Sequence, residues 1–478
     1  MKKIFSLLIG MVSLVAVAQT GEVHILSVND MHAAIDKFPR FAAVADSLRA
    51  LYPDLLVVSA GDNRTGNPIN DRDPVSSRPM VELMNKAGFK YSTFGNHEFD
   101  GKIDGLRTVI NNSYCTYICA NAYSPDSLRL HYVPFVIDKI NGIKVGILGL
   151  IQTNDAGIPD CHPKHVGNMT FRPMKDVAME YKWLRNECDV FILLTHNGYD
   201  DDLKLAAVMP EADMIIGGHS HTKLDPCVME NNVMITQTER WLKYATHTTI
   251  SVTDGKVTDR KAELIDVANF GNVNKAVESV VSNLIESSPL SDIIATAKSD
   301  FREKEELGCM MADALRAKTG ADIAIQNNGG VRYDSKRAGG ISICDVYTLD
   351  PFSNEAMTFT LTGEELKEML AAICRADDYG PSYVSGITYE IHLGKDNRDV
   401  KSVKIKREDG GKFDMKKSYK VAMNSYVASV SKYEKQDPGT ALGKATNDML
   451  EEYLREVKEV DYQGVKRVTV KQDQKYSR

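Results

Sequence analysis

The pattern of apolar and polar residues predicts an α/β architecture for the first half of the chain. From residue 23 to about 269, apolar runs of three to seven residues alternate with polar loops and with stretches whose apolar positions recur at helical spacing. Continuous apolar runs between helices are typical of strands buried within a sheet. The predicted strands span residues 23–28, 55–59, 145–151, 190–194 and 214–216, and the predicted helices span residues 38–51, 79–87 and 177–186.

The pattern changes after residue 270. Residues 273–294 form an amphipathic stretch with Val277 and Val281 at helical spacing, which predicts a linking helix within residues 270–298. The sequence therefore predicts one domain over residues 21–269 and a smaller α+β domain over residues 299–478. In the second domain the predicted helices span residues 310–318 and 363–374, and the predicted strands span residues 323–325, 357–361, 400–406 and 419–423.

The first residues have the composition of a secretory signal peptide. Lys2 and Lys3 precede an apolar run over residues 4–17, and Ala16-Val17-Ala18 supplies a small-x-small cleavage site. A transmembrane helix needs roughly 20 apolar residues, more than this run provides. No Cys follows the run, and the C-terminus lacks the hydrophobic tail of a glycolipid anchor signal. We therefore expect removal of residues 1–18 and export to the periplasm or the medium.

Composition and charge narrow the classes of partner. The 478 residues are 43% hydrophobic and 26% charged, as in ordinary globular proteins. The net charge is −7, or −9 without Lys2 and Lys3, so long-range electrostatics disfavour a nucleic-acid polymer or an anionic membrane as partner. Eight cysteines permit disulfides in an exported protein, but their spacing leaves the pairing open. We expect a monomer without a membrane span.

Acids, histidines and amides follow the predicted strands. In open α/β sheets, ligands bind at the carboxyl ends of strands. Carboxylate, imidazole and carboxamide ligands without thiolates suit Zn²⁺, Mn²⁺, Fe²⁺ or Co²⁺. Each segment alone could be a turn or a hydrogen-bonded loop, but the five in order predict two metals sharing a bridging carboxylate. The segments are Asn29-Asp30-Met31-His32, Gly61-Asp62-Asn63, Gly95-Asn96-His97-Glu98-Phe99-Asp100, Thr195-His196-Asn197 and Gly217-Gly218-His219-Ser220-His221.

The ordered motifs D-x-H, G-D, G-N-H-E, T-H and G-H-S-H resemble those of the calcineurin-like metallophosphoesterases. The resemblance is specifically to the exported 5′-nucleotidase family, which includes UDP-sugar hydrolases and 2′,3′-cyclic nucleotide phosphodiesterases. It implies a four-layer α/β/β/α catalytic domain and two divalent metal ions. The implied ligands are Asp30, His32 and His221 for one metal and Asn96, His196 and His219 for the other, with Asp62 bridging both.

The same resemblance implies a catalytic pair. His97 matches the family's catalytic histidine, which stabilises the transition state or protonates the leaving oxygen, and Asp100 would orient its imidazole. The position of Asp100 also suits a helix N-cap. Two bound metals would lower the pKa of water and supply hydroxide for in-line attack on phosphorus. They would also provide local positive charge for a phosphate dianion within an acidic protein.

Three segments of the second half resemble the family's substrate-binding motifs. They read N-N-G-G-V-R at residues 327–332, P-F-S-N at 351–354 and V-S-G at 384–386. The resemblance implies that two aromatic rings stack on a nucleobase, which is worth about 1–3 kcal/mol per base and tolerates different bases. The implied substrate-binding residues are Asn327, Arg332, Phe352, Gly386 and Tyr426.

The chain departs from the family in two places. Residues 424–433 lack the family's Gly-Gly-Asp-Gly-Tyr loop with its ribose-binding Asp, and Lys432 stands near that position. The family's Asn-x-Gly after Arg302 reads Glu306-Leu307-Gly308. Hydrolysis of 5′-nucleotides to nucleosides and phosphate is the primary hypothesis. The same chemistry on a UDP-sugar, cyclic nucleotide or sugar phosphate is the second. A nucleotide-binding protein without turnover is the third, and the complete metal motifs argue against it.

Overall fold

A computed structural model describes residues 20–352, 354–377, 379–395, 398–430 and 436–473. The predicted signal peptide and Lys432 lie outside these ranges. Two six-stranded sheets form the centre of the first half. The strands of this half are β1 (Thr20–Val28), β2 (Leu56–Ser59), β3 (Tyr91–Thr93), β4 (Thr116–Ile118), β5 (Ala122–Tyr123), β6 (Phe135–Ile140), β7 (Ile143–Ile151), β8 (Thr170–Phe171), β9 (Val190–His196), β10 (Met214–Ile216), β11 (Val228–Glu230), β12 (Val233–Thr236), β13 (Tyr244–Thr253) and β14 (Lys256–Asp266).

The two sheets pack face to face. The first has the order β14-β13-β1-β2-β3-β4, and the second has the order β11-β12-β10-β9-β7-β6. Strands β1 to β4 run parallel to one another, as do β7, β9, β10 and β12. Val58 of the first sheet and Ile192 of the second belong to one buried cluster between the sheets.

Helices cover both outer faces of this pair of sheets. Phe41 lies in the buried cluster on the outer face of the first sheet, and Leu205 lies in the cluster on the outer face of the second. The predicted four-layer α/β/β/α arrangement is therefore confirmed. The helices up to residue 286 are α1 (Phe38–Leu51), α2 (Pro68–Asp71), α3 (Arg78–Ala87), α4 (Lys102–Asn112), α5 (Met174–Glu180), α6 (Tyr199–Val208) and α7 (Lys275–Glu286).

Helix α7 is shorter than the predicted linking segment and packs on the first half. Val277 and Val281 are buried in the same cluster as Phe41. Asn274 caps the helix, and its side-chain amide donates to Asp46 at 2.7 Å. The helix ends at Glu286, and the next strand, Ile293–Ala297, belongs to a sheet of the second half.

The second half is smaller and mixes helices with three sheets, as the sequence predicts. Its largest sheet has the order β19-β16-β22-β18-β23. Its strands are β15 (Ile293–Ala297), β16 (Ile323–Gln326), β17 (Gly339–Ser342), β18 (Glu355–Thr362), β19 (Tyr383–Ser385), β20 (Ile387–Leu393), β21 (Val400–Arg407), β22 (Ser418–Asn424), β23 (Thr440–Ala445), β24 (Glu459–Val460) and β25 (Val468–Gln472). Its helices are α8 (Lys304–Thr319), α9 (Ile343–Leu349), α10 (Gly363–Ala376), α11 (Ser425–Val430) and α12 (Thr446–Val457).

Several predicted elements differ from the observed ones. Residues 177–186 split into α5 and a separate 3₁₀ helix, Lys182–Asn186. Helix α8 begins six residues before the predicted start, because Glu303 and Glu306 form a capping box at a polar first turn. All eight cysteines are free thiols. Among the described residues, no helix combines the length and apolar character that a membrane crossing requires.

Candidate two-metal site and adjoining cavity

The loops after β1, β2, β3, β9 and β10 meet at the carboxyl edge of the two sheets. The parallel register brings the first two loops side by side, and the backbone amide of His32 donates to the carbonyl of Asp62 at 2.9 Å. Such sharp turns force unusual backbone conformations, each of which costs on the order of 1–2 kcal/mol. Five of the seven predicted ligands have positive φ: Asp30 (48°), His32 (45°), Asp62 (52°), His219 (79°) and His221 (54°).

The Asp62 carboxylate lies at the centre of the cluster. Its Oδ1 accepts from the backbone amide of His97 at 2.8 Å. Its Oδ2 lies 3.2 Å from Nε2 of His196 and 3.9 Å from Nε2 of both His32 and His97. One carboxylate oxygen is thus held by backbone and the other faces the imidazoles from two sides. This is the arrangement that a bridging ligand needs.

Asp30 presents an unsatisfied oxygen to the same cluster. Its Oδ2 accepts from the side chain of Asn29 and from the backbone amide of His219. Its Oδ1 is buried without a hydrogen-bond donor and lies 3.4 Å from Nε2 of His221. A buried carboxylate oxygen without a donor costs free energy unless a cation neutralises it. This orphaned atom therefore fits a metal ligand.

Two histidines have their tautomers fixed for metal binding. Nδ1 of His32 lies 3.0 Å from the Thr65 carbonyl, and Nδ1 of His196 lies 2.7 Å from the Ala60 carbonyl. Carbonyl oxygens only accept hydrogen bonds, so both Nδ1 atoms carry a proton and both Nε2 atoms are the ones that can bind a metal. Nε2 of His32 lies 3.0 Å from Nε2 of His221. These two ring nitrogens can both bind a metal, and a cation between them would remove the repulsion between their lone pairs.

The second group of predicted ligands lies beside the first. Oδ1 of Asn96 is 3.3 Å from Nε2 of His196 and 3.0 Å from Nδ1 of His219. All seven predicted ligands thus lie in one cluster, and the donors fit two divalent cations with Asp62 between them. The described residues include three overlapping sets of potential ligand groups, which are Asp30 with His32 and His221, His32 with Asp62 and His97, and Asp30 with Asp62 and His196.

The charges in this cluster are strongly coupled. Burial raises the pKa of Asp30, but His221 and His196 together lower it by more, so the net pKa is about 2. Burial lowers the pKa of His196, but the carboxylates of Asp62 and Asp30 raise it to about 10. Without metal, the cluster therefore holds its carboxylates ionised and at least one imidazole protonated. A divalent cation would take the place of that proton.

Glu98 supports the cluster from behind, a role that the sequence motif did not reveal. Its Oε2 accepts from the backbone amides of Asp62 and Gly95 at 2.9 and 2.6 Å, and its Oε1 accepts from Asn63 at 2.9 Å. Burial and the neighbouring Asp62 raise the pKa of Glu98. One buried carboxylate thus ties together the loops that follow β2 and β3.

His97 and Asp100 form a hydrogen-bonded pair at the rim of the cluster. Nδ1 of His97 lies 2.7 Å from Oδ2 of Asp100. Burial lowers the pKa of His97, but Asp62 and Asp100 raise it above its usual value. The alternative N-cap role for Asp100 is wrong, because Gly101 is the N-cap of α4 and Asp100 turns toward the imidazole instead.

A cavity of about 390 Å³ joins the cluster to the second half. Arg332 and Phe352 line it from the second half, with the Phe352 ring stacked on His97 at a centroid distance of 5.7 Å. Asn327 and Tyr426 also line it. Gly386 does not line it: its φ is +84°, and a Cβ there would meet the Asp322 carbonyl at 2.3 Å. A close backbone approach accounts for that glycine.

Comparisons with known proteins agree with this arrangement. A family model described as calcineurin-like phosphoesterase matches residues 23–223. A second, described as 5′-nucleotidase, C-terminal domain, matches residues 286–432. The chain is a calcineurin-like phosphoesterase with a 5′-nucleotidase C-terminal domain. The resemblance to the calcineurin-like metallophosphoesterases that the sequence motifs indicated is therefore confirmed. A phosphoesterase of this kind is a hydrolase of phosphate esters that depends on divalent metals.

Relatives of this phosphoesterase match it along most of its length. It is 26% identical over 482 residues to a 5′-nucleotidase of Vibrio parahaemolyticus, covering 87% of this chain and 84% of the relative. It is 26% identical over 438 residues to protein UshA of Yersinia enterocolitica, covering 78% and 77%. The crystal structure of a 5′-nucleotidase precursor from Thermus thermophilus has the same fold, with a TM-score of 0.82 at 24% identity over 94% of this chain and 99% of that chain.

Several cavity residues of this phosphoesterase carry no motif in the sequence. His165 lies in the loop after β7, with a buried Nδ1 that has no hydrogen-bond partner, 3.9 Å from Oδ1 of Asp100. Asp160 of the same loop lies 3.5 Å from Nε2 of His219. Asp377 and Tyr379 follow α10 and line the same cavity. The fold of the first half brings His165 and Asp160 to the site, and the packing of the two halves brings Asp377 and Tyr379 there.

Proposed function

We propose that this chain hydrolyses 5′-nucleotides to nucleosides and orthophosphate, using two divalent metal ions held by Asp30, His32, Asp62, Asn96, His196, His219 and His221. The observation that carries the proposal is the cavity between the two halves. The Asp62 cluster lines it together with Arg332 and the aromatic rings of Phe352 and Tyr426. A nucleotide likewise combines a phosphate dianion with an aromatic base.

The phosphate end is served by cations and by a proton donor. The guanidinium of Arg332 faces the cavity and suits two phosphoryl oxygens at once. His97, with its raised pKa and its Asp100 partner, donates a proton to the leaving 5′ oxygen. When bound, the metals lower the pKa of water and neutralise charge on the phosphoryl oxygens. Asp62 and Glu98 fix the geometry at which these groups meet the phosphate.

The nucleoside end is aromatic. Phe352, Tyr379 and Tyr426 line the cavity, and base stacking on such rings tolerates different bases. Asn327 takes part indirectly, since its Oδ1 accepts from Asn424 at 3.0 Å. Hydrolysis of UDP-sugars, cyclic nucleotides or sugar phosphates uses the same metal end and differs only at this wall. The aromatic rings favour a nucleotide over a sugar phosphate without a base.

The protein acts outside the cytoplasm in this proposal. The support is the charged start, apolar run and small-x-small site within residues 1–18. A monomer suffices, because both ends of the cavity come from one chain. N-terminal sequencing of the protein recovered from the periplasm or medium of an expressing cell should begin at Gln19. An intact N-terminus on cell-retained protein would contradict export.

The test is phosphate release from a panel of phosphoesters by metal-loaded protein. We expect AMP and other 5′-nucleotides to be cleaved faster than UDP-glucose, 2′,3′-cyclic AMP and ribose 5-phosphate. Asp62→Ala should abolish release, and Asp104→Ala, an exposed acid on α4, should leave it unchanged. Equal activity of Asp62→Ala and the wild type would refute the metal mechanism. Tight nucleotide binding without release under any metal would identify a binding protein instead.

A further inference from the structure

Asp377 is a charged group of the cavity wall that the metal cluster does not use. Among the described residues lining it from the second half, Arg332 is the only cation and Asp377 the only carboxylate. Asp377 lines the cavity with Ile373 and Tyr379, and its charged neighbour is Lys304, which does not line the cavity. A phosphate dianion would be repelled by this carboxylate. Asp377 is therefore suited to contact an uncharged part of a substrate.

The protein holds the Asp377 carboxylate in one orientation. Its Oδ1 accepts from the backbone amide of Tyr379 at 2.9 Å, and its Oδ2 accepts from that of Gly329 at 3.0 Å. The Asn327 side chain adds a further hydrogen bond. A carboxylate offers about four acceptor positions, so the protein leaves about one free for a ligand.

The glycine in the N-N-G-G segment makes room for this carboxylate. A Cβ at Gly329 would lie 3.2 Å from Oδ1 of Asp377 and 3.0 Å from the Tyr379 ring. Asn327 is also committed to the carboxylate, since its oxygen accepts from Asn424 and its side chain bonds Asp377. The residues that resemble a substrate-binding motif thus build the platform on which Asp377 faces the cavity.

A largely buried carboxylate that faces a cavity gains free energy from one more donor. Burial raises the pKa of Asp377, which shows how poorly water solvates it. In a 5′-nucleotide, neutral hydroxyl donors lie on the sugar, between the phosphate and the base. We propose that Asp377 accepts a hydrogen bond from a ribose hydroxyl and makes the enzyme selective for ribonucleotides. This inference rests on the proposed nucleotidase function and adds to it a residue that recognises the ribose.

The experiment compares kcat/KM for AMP and 2′,3′-dideoxy-AMP in wild type and in Asp377→Asn. Hydrogen bonds to charged groups correspond to roughly a tenfold or larger difference, so the wild type should prefer AMP by at least that factor. Asp377→Asn should lose most of the preference, mainly through a higher KM for AMP. The ratio is taken within one protein, so a general loss of folded enzyme does not move it.

Asp409→Asn is the control, because Asp409 is an exposed acid of the same half that accepts from Arg407 at 2.6 Å away from the cavity. It should keep the wild-type ratio. A ratio that is unchanged in Asp377→Asn overturns the proposal. So does a wild-type ratio near one, a result that needs no variant to fold. If Asp377→Asn alters the AMP to IMP ratio instead, the carboxylate reads the base amine and the proposal is wrong. Absence of hydrolysis of any nucleotide by wild type refutes the underlying function itself.

Discussion

Replacing Glu98 by Gln isolates the support behind the metal cluster. The substitution keeps the size of the side chain, and the amide oxygen can retain the bonds from Asp62 and Gly95. The amide nitrogen then faces the backbone amide of Asn63, which loses its acceptor. An unsatisfied buried donor costs about 1–3 kcal/mol, and the two remaining bonds lose their charge assistance. Relief of the repulsion between Glu98 and Asp62 offsets part of this cost.

We therefore expect Glu98→Gln to lower the free energy of unfolding of the first half by about 2–3 kcal/mol, which corresponds to a Tm decrease of roughly 5–10 °C. The bridging ligand Asp62 loses its fixed backbone, so metal affinity should fall about 10–100-fold, as for other groups that orient metal ligands. The assays are thermal unfolding of metal-free protein and titration with Mn²⁺.

Glu82→Gln on the exposed face of α3 is the control. The Glu82 carboxylate lies 4.0 Å from Lys86 of the same helix and forms no ion pair with a residue of the metal cluster. It should leave Tm and metal affinity unchanged. If Glu98→Gln matched this control in both measurements, the three backbone hydrogen bonds would not stabilise the site, and the reasoning would be refuted. A loss of stability with unchanged metal affinity would separate folding from ligand positioning.

Three further outcomes follow from the same geometry. His97→Ala should lower kcat for AMP by roughly 10²–10⁴-fold, and the loss should shrink for p-nitrophenyl phosphate, whose leaving group needs no proton; an equal loss on both substrates would contradict the proton-donor role. Burial raises the pKa of Asp202 to about 7 despite a hydrogen bond from Thr195. Because the folded-state pKa lies above the unfolded one, stability is lost as pH rises from about 4 to 7, and urea unfolding of Asp202→Asn should show a flatter dependence in that window. Chelation should abolish phosphate release and lower Tm, and Mn²⁺ at about 1,000 times its Kd should restore about 4 kcal/mol of stability.

The parts of the structure that the sequence predicts best are those with a local cause. Apolar runs such as 190–194 become buried parallel strands. The turns after β1, β2, β3, β9 and β10 carry the predicted ligands, because the carboxyl ends of parallel strands share one edge. By contrast, β14 alternates exposed and half-buried residues at the edge of the first sheet and gives no apolar run. Its antiparallel pairing with β13 depends on a neighbour rather than on its own pattern.

The cavity wall was harder to predict because it depends on contacts between the halves. The guanidinium of Arg72 lies 3.8 Å from the ring centroid of Tyr347, and Arg240 bonds Asp334 at 3.0 Å. No periodicity or motif in the sequence marks these contacts. They join the half that carries the metal ligands to the half that carries Asp377. The predicted Gly386 shows the opposite failure, since a motif match can report a tight backbone position rather than a ligand contact.

The packing of α7 on the first half has a consequence for biosynthesis. All seven predicted ligands precede this helix in the chain, and its buried face completes the core on which the first sheet rests. We expect the first half to reach its final packing once residue 286 is available, and a chain cut before residue 275 to leave an apolar groove along α1. The nascent chain would then acquire all the predicted metal ligands before it acquires Arg332 and the rest of the cavity wall from the second half.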